Sequence, residues 1–188
     1  MAAARSEIAG YLDVVRSLDW MGFARRYRFA VMKPSDLDEV MQIERRVYPD
    51  PWSRWVFIHE MMNNPMAHLL VLKTRTAPGR LVGYISMRIH EQDAHLTNLA
   101  LRPDMTGRGL GKYMLAFAMD YAARRDARWM WLEVRKSNER ARRLYRRFRF
   151  KFIRELPRYY PNGEDALVLM VAIRPLLDEI LRTPEKKS

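Results

Sequence analysis

Leu96-Thr97-Asn98-Leu99-Ala100-Leu101-Arg102-Pro103-Asp104-Met105-Thr106-Gly107-Arg108-Gly109-Leu110-Gly111-Lys112 reads as a strand, a glycine loop and the start of a helix. The strand covers Ala94 to Leu101. The helix runs from Leu110 to Arg124 and places Leu110, Met114, Phe117, Ala118 and Tyr121 on one face. Between them, glycines at 107, 109 and 111 let backbone N–H groups converge where side chains would block them. The helix start adds the positive end of its dipole. The combination makes a site for a pyrophosphate, with Arg108 and Lys112 adding charge. A dinucleotide-binding loop would follow the first strand with the spacing G-x-G-x-x-G, whereas here the spacing is G-x-G-x-G after the fourth expected strand. A phosphate loop of the nucleotide hydrolases needs Ser or Thr after Gly-Lys, and Gly111-Lys112 is followed by Tyr113. The reading without a ligand is a flexible turn.

Outward from the loop, strands and helices alternate. Phe29 to Met32 is a short strand, and Ser35 with Asp38 forms an N-cap signature for a helix reaching about Arg46. Pro49, Asp50 and Pro51 break it. A second helix starts near Ser53 and stops by Asn63-Asn64-Pro65. Strands follow at His68–Thr74 and Arg80–Arg88, joined by a turn at Pro78-Gly79. After the long helix come a strand at Trp129–Arg135, a helix capped by Asn138 and reaching Phe148, and strands at Phe150–Glu155 and Ala166–Ile173. Hairpins mixed with helical crossovers predict a mixed sheet. Residues 1–28 form a separate leader, in which Ile8, Leu12, Val15 and Leu18 recur at helical spacing. The main domain spans 29–175 and a tail spans 176–188.

The chain has 188 residues, 48% of them hydrophobic, enough for one domain with a full core. No apolar run approaches the roughly 20 residues that cross a bilayer, and charges interrupt the N-terminus where a signal peptide would be. A cytoplasmic protein with no membrane partner is expected. Zero cysteines exclude disulfides, thiolate metal sites and a cysteine nucleophile. The histidines, at 59, 68, 90 and 95, show no ligand spacing, so no metal is expected. The net charge is +12, and from Arg124 to Arg154 thirteen Arg and Lys residues face three acids. Such a face suits cofactor phosphates or an RNA backbone; it is equally a solubilising surface.

The loop resembles the acetyl-CoA loop of the GNAT acetyltransferases, whose pattern is Gln/Arg-x-x-Gly-x-Gly/Ala; Thr106 stands where Gln or Arg is usual. Trp131-Leu132-Glu133-Val134-Arg135-Lys136-Ser137-Asn138, followed by Ala141, Leu144-Tyr145 and Phe150, resembles a segment of the bacterial ribosomal-protein-alanine N-acetyltransferases. Pro51-Trp52-Ser53, Tyr159-Tyr160-Pro161 and Glu164-Asp165-Ala166 extend the likeness, which covers about residues 29 to 173. Arg149 replaces the usual Gly before Phe150. The resemblance implies an α/β (α+β) fold: one domain with a mixed, mostly antiparallel sheet of about six to seven strands, about four flanking helices and an N-terminal helical extension. It implies transfer of an acetyl group from acetyl-CoA to the α-amino group of a protein N-terminus, with a ribosomal protein as partner and ribosome or RNA proximity through 124–154.

Glu133 lies in a strand with apolar neighbours on both sides. Desolvation there should raise its pKa, which suits a base for the substrate amine; a structural pair with an arginine such as Arg135 is the alternative. Asn138 is a helix cap, to which the resemblance adds a hydrogen bond to pantetheine. Tyr145 is a core tyrosine by position and, by resemblance, the general acid for the departing thiolate. The resemblance likewise implies that Leu99, Ala100 and Leu101 hold the acetyl and pantetheine end, that Gly107, Arg108, Gly109, Leu110, Gly111 and Lys112 hold the pyrophosphate, and that Trp52, Tyr159 and Tyr160 line the peptide entrance. Without a cysteine the transfer is direct, through a ternary complex. The rival functions are acetylation of a small amine or a lysine side chain, and a non-catalytic RNA- or ribosome-binding module.

Overall fold

Four consecutive apolar residues, Leu69 to Leu72, set the layering. Alternate side chains of a strand face opposite sides of a sheet. Leu70 and Leu72 join one buried cluster, while Leu69 and Val71 join another. A strand apolar on both faces is what a sheet covered on both sides requires.

The chain, described here as a computed structural model, is defined for residues 12–174. Its elements are α1 (12–16), α2 (Trp20–Arg26), β1 (Tyr27–Val31), α3 (Leu37–Val47), α4 (Arg54–Asn63), β2 (Ala67–Thr74), β3 (Leu81–His90), β4 (Asp93–Leu101), α5 (Leu110–Ala123), β5 (Trp129–Arg135), α6 (Glu139–Arg147), β6 (Lys151–Leu156) and β7 (Ala166–Ala172). The seven strands form one sheet in the order β1-β2-β3-β4-β5-β7-β6. All neighbours are antiparallel except β4 and β5, so the mixed, mostly antiparallel sheet is as expected. One face carries α1, α2 and α5, whose Val15, Phe23 and Met114 share a cluster with Ile85 and Met130. The other carries α3 and α4, whose Val40, Ile43 and Phe57 pack on Tyr84 and Leu81.

The site depends on where β4 and β5 part. They pair only through Asp93↔Trp129, Ala94↔Met130 and His95↔Trp131. Immediately beyond, the β3–β4 register shifts, with Ser86 opposite Asn98 but Met87 opposite Leu96. Thr97 is the extra residue, and its hydroxyl donates to the Ser86 carbonyl at 3.0 Å. A bulge of this kind bends its strand and raises the local twist. From there β4 keeps β3 as its neighbour and β5 keeps β7, leaving a splay between them.

Several local readings need correction. The strand expected at Phe29 begins at Tyr27, and a second helix, α2, precedes it. Trp20 and Phe23 of that helix are buried, and Phe23 stacks on Tyr113 of α5 at 4.4 Å. With α1 and α2 the described residues hold six α-helices rather than about four. The Ser35/Asp38 cap is not formed: a 3-10 turn at Pro34–Asp36 leads into α3, with the Asp36 carboxylate accepting from the Lys33 N–H at 3.0 Å. Ile8 and the tail 176–188 lie outside the described residues.

Candidate active site

Gly107 and Gly109 adopt φ of +81° and +77°, the left-handed region that disfavours a Cβ. Gly109 is the N-cap position of α5, so the loop delivers the helix's free N–H groups to its mouth. Nothing lies within 4 Å of where a Gly107 Cβ would stand, so the loop faces open space. That space is a cavity of about 760 Å³ along the splayed half of β4. Leu99, Ala100 and Leu101 form one wall, the loop from Gly107 to Lys112 another, and α6 the third. Of the residues expected to hold the cofactor, Leu99, Ala100, Leu101, Gly107, Gly109, Leu110, Gly111, Lys112 and Asn138 all line it. Arg108 is exposed and does not. Arg140, Arg143, Arg146 and Arg147 of α6 add a cationic wall that the loop reading did not supply.

A second cavity, of about 600 Å³, opens on the other side of the splay. Trp52, Glu133, Tyr159 and Tyr160 line it together. The two cavities share Val47, Leu99, Asn138, Ala141 and Tyr145. Tyr145 therefore stands on the wall common to both cavities.

The sequence model of the acetyltransferase (GNAT) family matches residues 37–150. The chain belongs to that family. Among its GNAT relatives is the [ribosomal protein bS18]-alanine N-acetyltransferase of Salmonella typhimurium, 33% identical over 147 residues, spanning 77% of this chain and 96% of the relative. The crystal structure of the ribosomal-protein-S18-alanine N-acetyltransferase from Escherichia coli superposes with a TM-score of 0.70 at 27% identity, covering 86% of this chain and 99% of that one. Arabidopsis thaliana NAA60 in complex with acetyl-CoA matches at TM-score 0.70 and 21% identity, over 78% of this chain and 98% of that chain, a likeness of fold.

Within this GNAT domain, the helix carrying Tyr145 is fixed at both ends. Asn138 caps α6 by accepting from the Ala141 N–H at 3.0 Å. At the other end the Phe150 N–H donates to the Tyr145 carbonyl at 3.1 Å and the Arg149 N–H to the Arg146 carbonyl at 3.0 Å, a Schellman closure with Tyr145 and Phe150 in ring contact at 5.4 Å. Arg149 takes the left-handed conformation (φ +63°) that glycine normally supplies there. Burial, and secondarily Tyr160, pushes the Tyr145 hydroxyl well above its ordinary pKa, which keeps it protonated.

Glu133 departs from expectation. Strand β5 alternates, with Met130, Leu132 and Val134 buried in the core while Trp131, Glu133 and Arg135 are half-buried on the cavity side. Burial does push the Glu133 carboxyl up, but His95 and Tyr159 together outweigh it, and the pKa is lowered rather than raised. His95 Nε2 lies 2.7 Å from Oε2, and the Tyr159 hydroxyl donates to Oε1 at 3.3 Å. Arg135 does not pair with Glu133; it reaches Asp50 and Glu164 instead.

Two neighbours of the site were not visible in the sequence reading. His95 joins Glu133 across 38 positions, a contact set only by the β4–β5 register. Glu44, fully buried on α3, accepts from the Trp52 N–H at 2.8 Å and from the Tyr84 hydroxyl. Burial, opposed by that Trp52 N–H, lifts its carboxyl to about 7. The Asn98 amide donates to Tyr84 at 3.3 Å, so one buried chain of hydrogen bonds ties the Trp52 loop to β3 and β4. The available signal was a carboxylate at helical spacing from Leu37, Val40 and Met41, on the apolar face of α3.

Proposed function

We propose that this chain transfers the acetyl group of acetyl-CoA to the α-amino group of a protein N-terminus, of the ribosomal-protein-alanine kind. The observation that carries this reading is the meeting of the two cavities at Tyr145 and Asn138. Relatives named as bS18-alanine N-acetyltransferases and covering most of this chain support the choice of substrate. Direct transfer between two bound substrates needs two chambers with one shared wall.

The residues present fit acetyl-CoA. The left-handed glycines leave room at the loop, and its backbone, with Lys112, would hold the diphosphate. The wall at Leu99–Leu101 and Asn138 would hold the pantetheine arm. When bound, acetyl-CoA supplies an activated acyl thioester. The protein's own task is then to place an amine beside Tyr145, accept a proton at the Glu133 end of the second cavity and donate one from the Tyr145 hydroxyl. Trp52, Tyr159 and Tyr160 would enclose the first residues of the peptide.

The same reading places the enzyme in the cytoplasm, close to ribosomes. Among the described residues no helix is long and apolar enough to cross a membrane. The exposed α6 arginines, beside the cavity mouth, give RNA phosphates a surface, and binding through them would weaken steeply with salt. Mass spectrometry of peptides incubated with acetyl-CoA tests the main proposal. Acetyl groups on free N-terminal alanine are expected, with Glu133→Gln and Tyr145→Phe each slowing turnover roughly a hundredfold. Equal rates on lysine peptides with blocked N-termini would defeat it in favour of a lysine acetyltransferase.

A further inference from the structure

An amine substrate arrives as an ammonium and must lose a proton before it can act as a nucleophile, and the second cavity offers two candidate acceptors. Both oxygens of Glu133 are engaged, Oε2 by His95 and Oε1 by Tyr159. A carboxylate so held, with its pKa lowered, is a poor base for an ammonium. His95 is differently placed. Its ring lies flat on the Trp131 indole, 3.7 Å between centroids and 4° between planes, and Glu133 fixes its rotation. Nε2 faces the carboxylate, while Nδ1 has no hydrogen-bond partner among the described residues. His95 lines the substrate cavity and occupies the last rung of the β4–β5 ladder, where the strands part.

We infer that His95 is the proton acceptor for the substrate amine and that Glu133 orients it and balances its charge. This deepens the proposed N-terminal acetylation and rests on it. In the step, one N–H bond of the substrate ammonium breaks and one forms at His95 Nδ1. The imidazolium keeps its Nε2–H on Glu133, and water takes the proton afterwards. No redox change is involved. The charged and titratable groups around the ring are Glu133 on β5, Tyr159 in the β6–β7 connection and Arg88, its cross-strand neighbour on β3, which Glu60 of α4 holds at 2.8 Å. Tyr48, Asp50, Arg135, Tyr145 and Tyr160 are the other titratable groups of the cavity wall.

The test uses the full chain, an N-terminal alanine peptide and acetyl-CoA, with kcat/KM measured from about pH 6 to 9. Wild type is expected to gain rate as the pH rises across this range. His95→Gln should lower kcat/KM roughly a hundredfold and leave only the ionisation of the peptide amine, while acetyl-CoA affinity by calorimetry stays within about twofold. Glu133→Gln should also lower kcat/KM, because the ring loses its orienting partner and its counter-charge. Added imidazole should restore part of the rate to His95→Ala, which a purely structural role would not allow. Thermal melts establish that each variant folds; should His95→Ala unfold, the pH profile of His95→Gln decides. An active wild type whose His95→Gln variant keeps both rate and pH limb would overturn the role of His95 alone. A wild type inactive on every N-terminal peptide would overturn the proposed function instead.

Discussion

Arg135 Nη2 lies 2.6 Å from Asp50 Oδ2, joining strand β5 to the α3–α4 connection across 85 positions of sequence. Its Nη1 reaches Glu164 Oε2 at 2.9 Å and Asn162 Oδ1 at 3.0 Å, and the guanidinium lies 3.8 Å from the centre of the Tyr160 ring. One largely buried cation thus holds both walls of the second cavity. Hydrogen bonds from the Ser137 hydroxyl and N–H, with Arg135 after them, pull the Glu164 carboxyl down to about 2, so this arch stays charged throughout the neutral range.

Replacing Arg135 by Gln removes the cation while leaving the cofactor cavity intact. The expected outcome is a rise in peptide KM of roughly tenfold with little change in acetyl-CoA KM. Steady-state kinetics with each substrate varied in turn measures the split. A parallel loss of acetyl-CoA affinity would show that Arg135 supports the whole fold instead.

Glu44 should impose a pH dependence on stability. Its folded pKa, about 7, lies above the ordinary 4.5, so the native state holds a proton that the unfolded chain releases in that window. The associated stability is complete below the window and is lost as pH rises through it, by on the order of 3 kcal/mol. Melting temperatures of wild type should therefore fall more steeply between about pH 5 and 8 than those of Glu44→Gln. Parallel curves would refute the assignment.

Gly109→Ala places a Cβ at φ +77° in the loop. Its nearest neighbour is the flexible end of Lys112, 3.4 Å away, so the cost comes from backbone strain of about 1–2 kcal/mol. If the loop holds the diphosphate, acetyl-CoA affinity by calorimetry falls at least roughly fivefold while the peptide KM holds.

Arg149 is exposed and carries the same strain at φ +63° without a steric need for its side chain. Arg149→Gly is expected to stabilise the protein by about 1 kcal/mol, read from urea unfolding. Activity should persist, since the Schellman bonds that fix Tyr145 are made by the backbone.

Phe23→Ala tests how firmly the N-terminal helices are tied to the rest. Phe23 is 4% exposed and contacts Tyr27, Phe29 and Tyr113. A loss of roughly 3–5 kcal/mol is expected in a single cooperative transition. A separate early transition would mean that α2 unfolds on its own.

What the sequence alone determined was local. The glycine loop, the Asn138 cap, the start of α4 near Ser53 and the succession of strands along the chain depend on contacts within a few residues, and these signals are short-range by nature. Resemblance singled out Glu133, Tyr145, Trp52, Tyr159 and Tyr160, and in the structure all five line one cavity. Only the tertiary structure decided the chemistry at Glu133. Its apolar neighbours announced desolvation, but the His95 imidazole and the Tyr159 hydroxyl that together outweigh it come from distant segments of the chain. The same holds for the Arg135–Asp50 arch and the Glu44 network, each made between elements whose separation in sequence carries no signal. Sheet register and the bulge at Thr97 fix those meetings, because a shift of one residue would turn every such side chain to the opposite face.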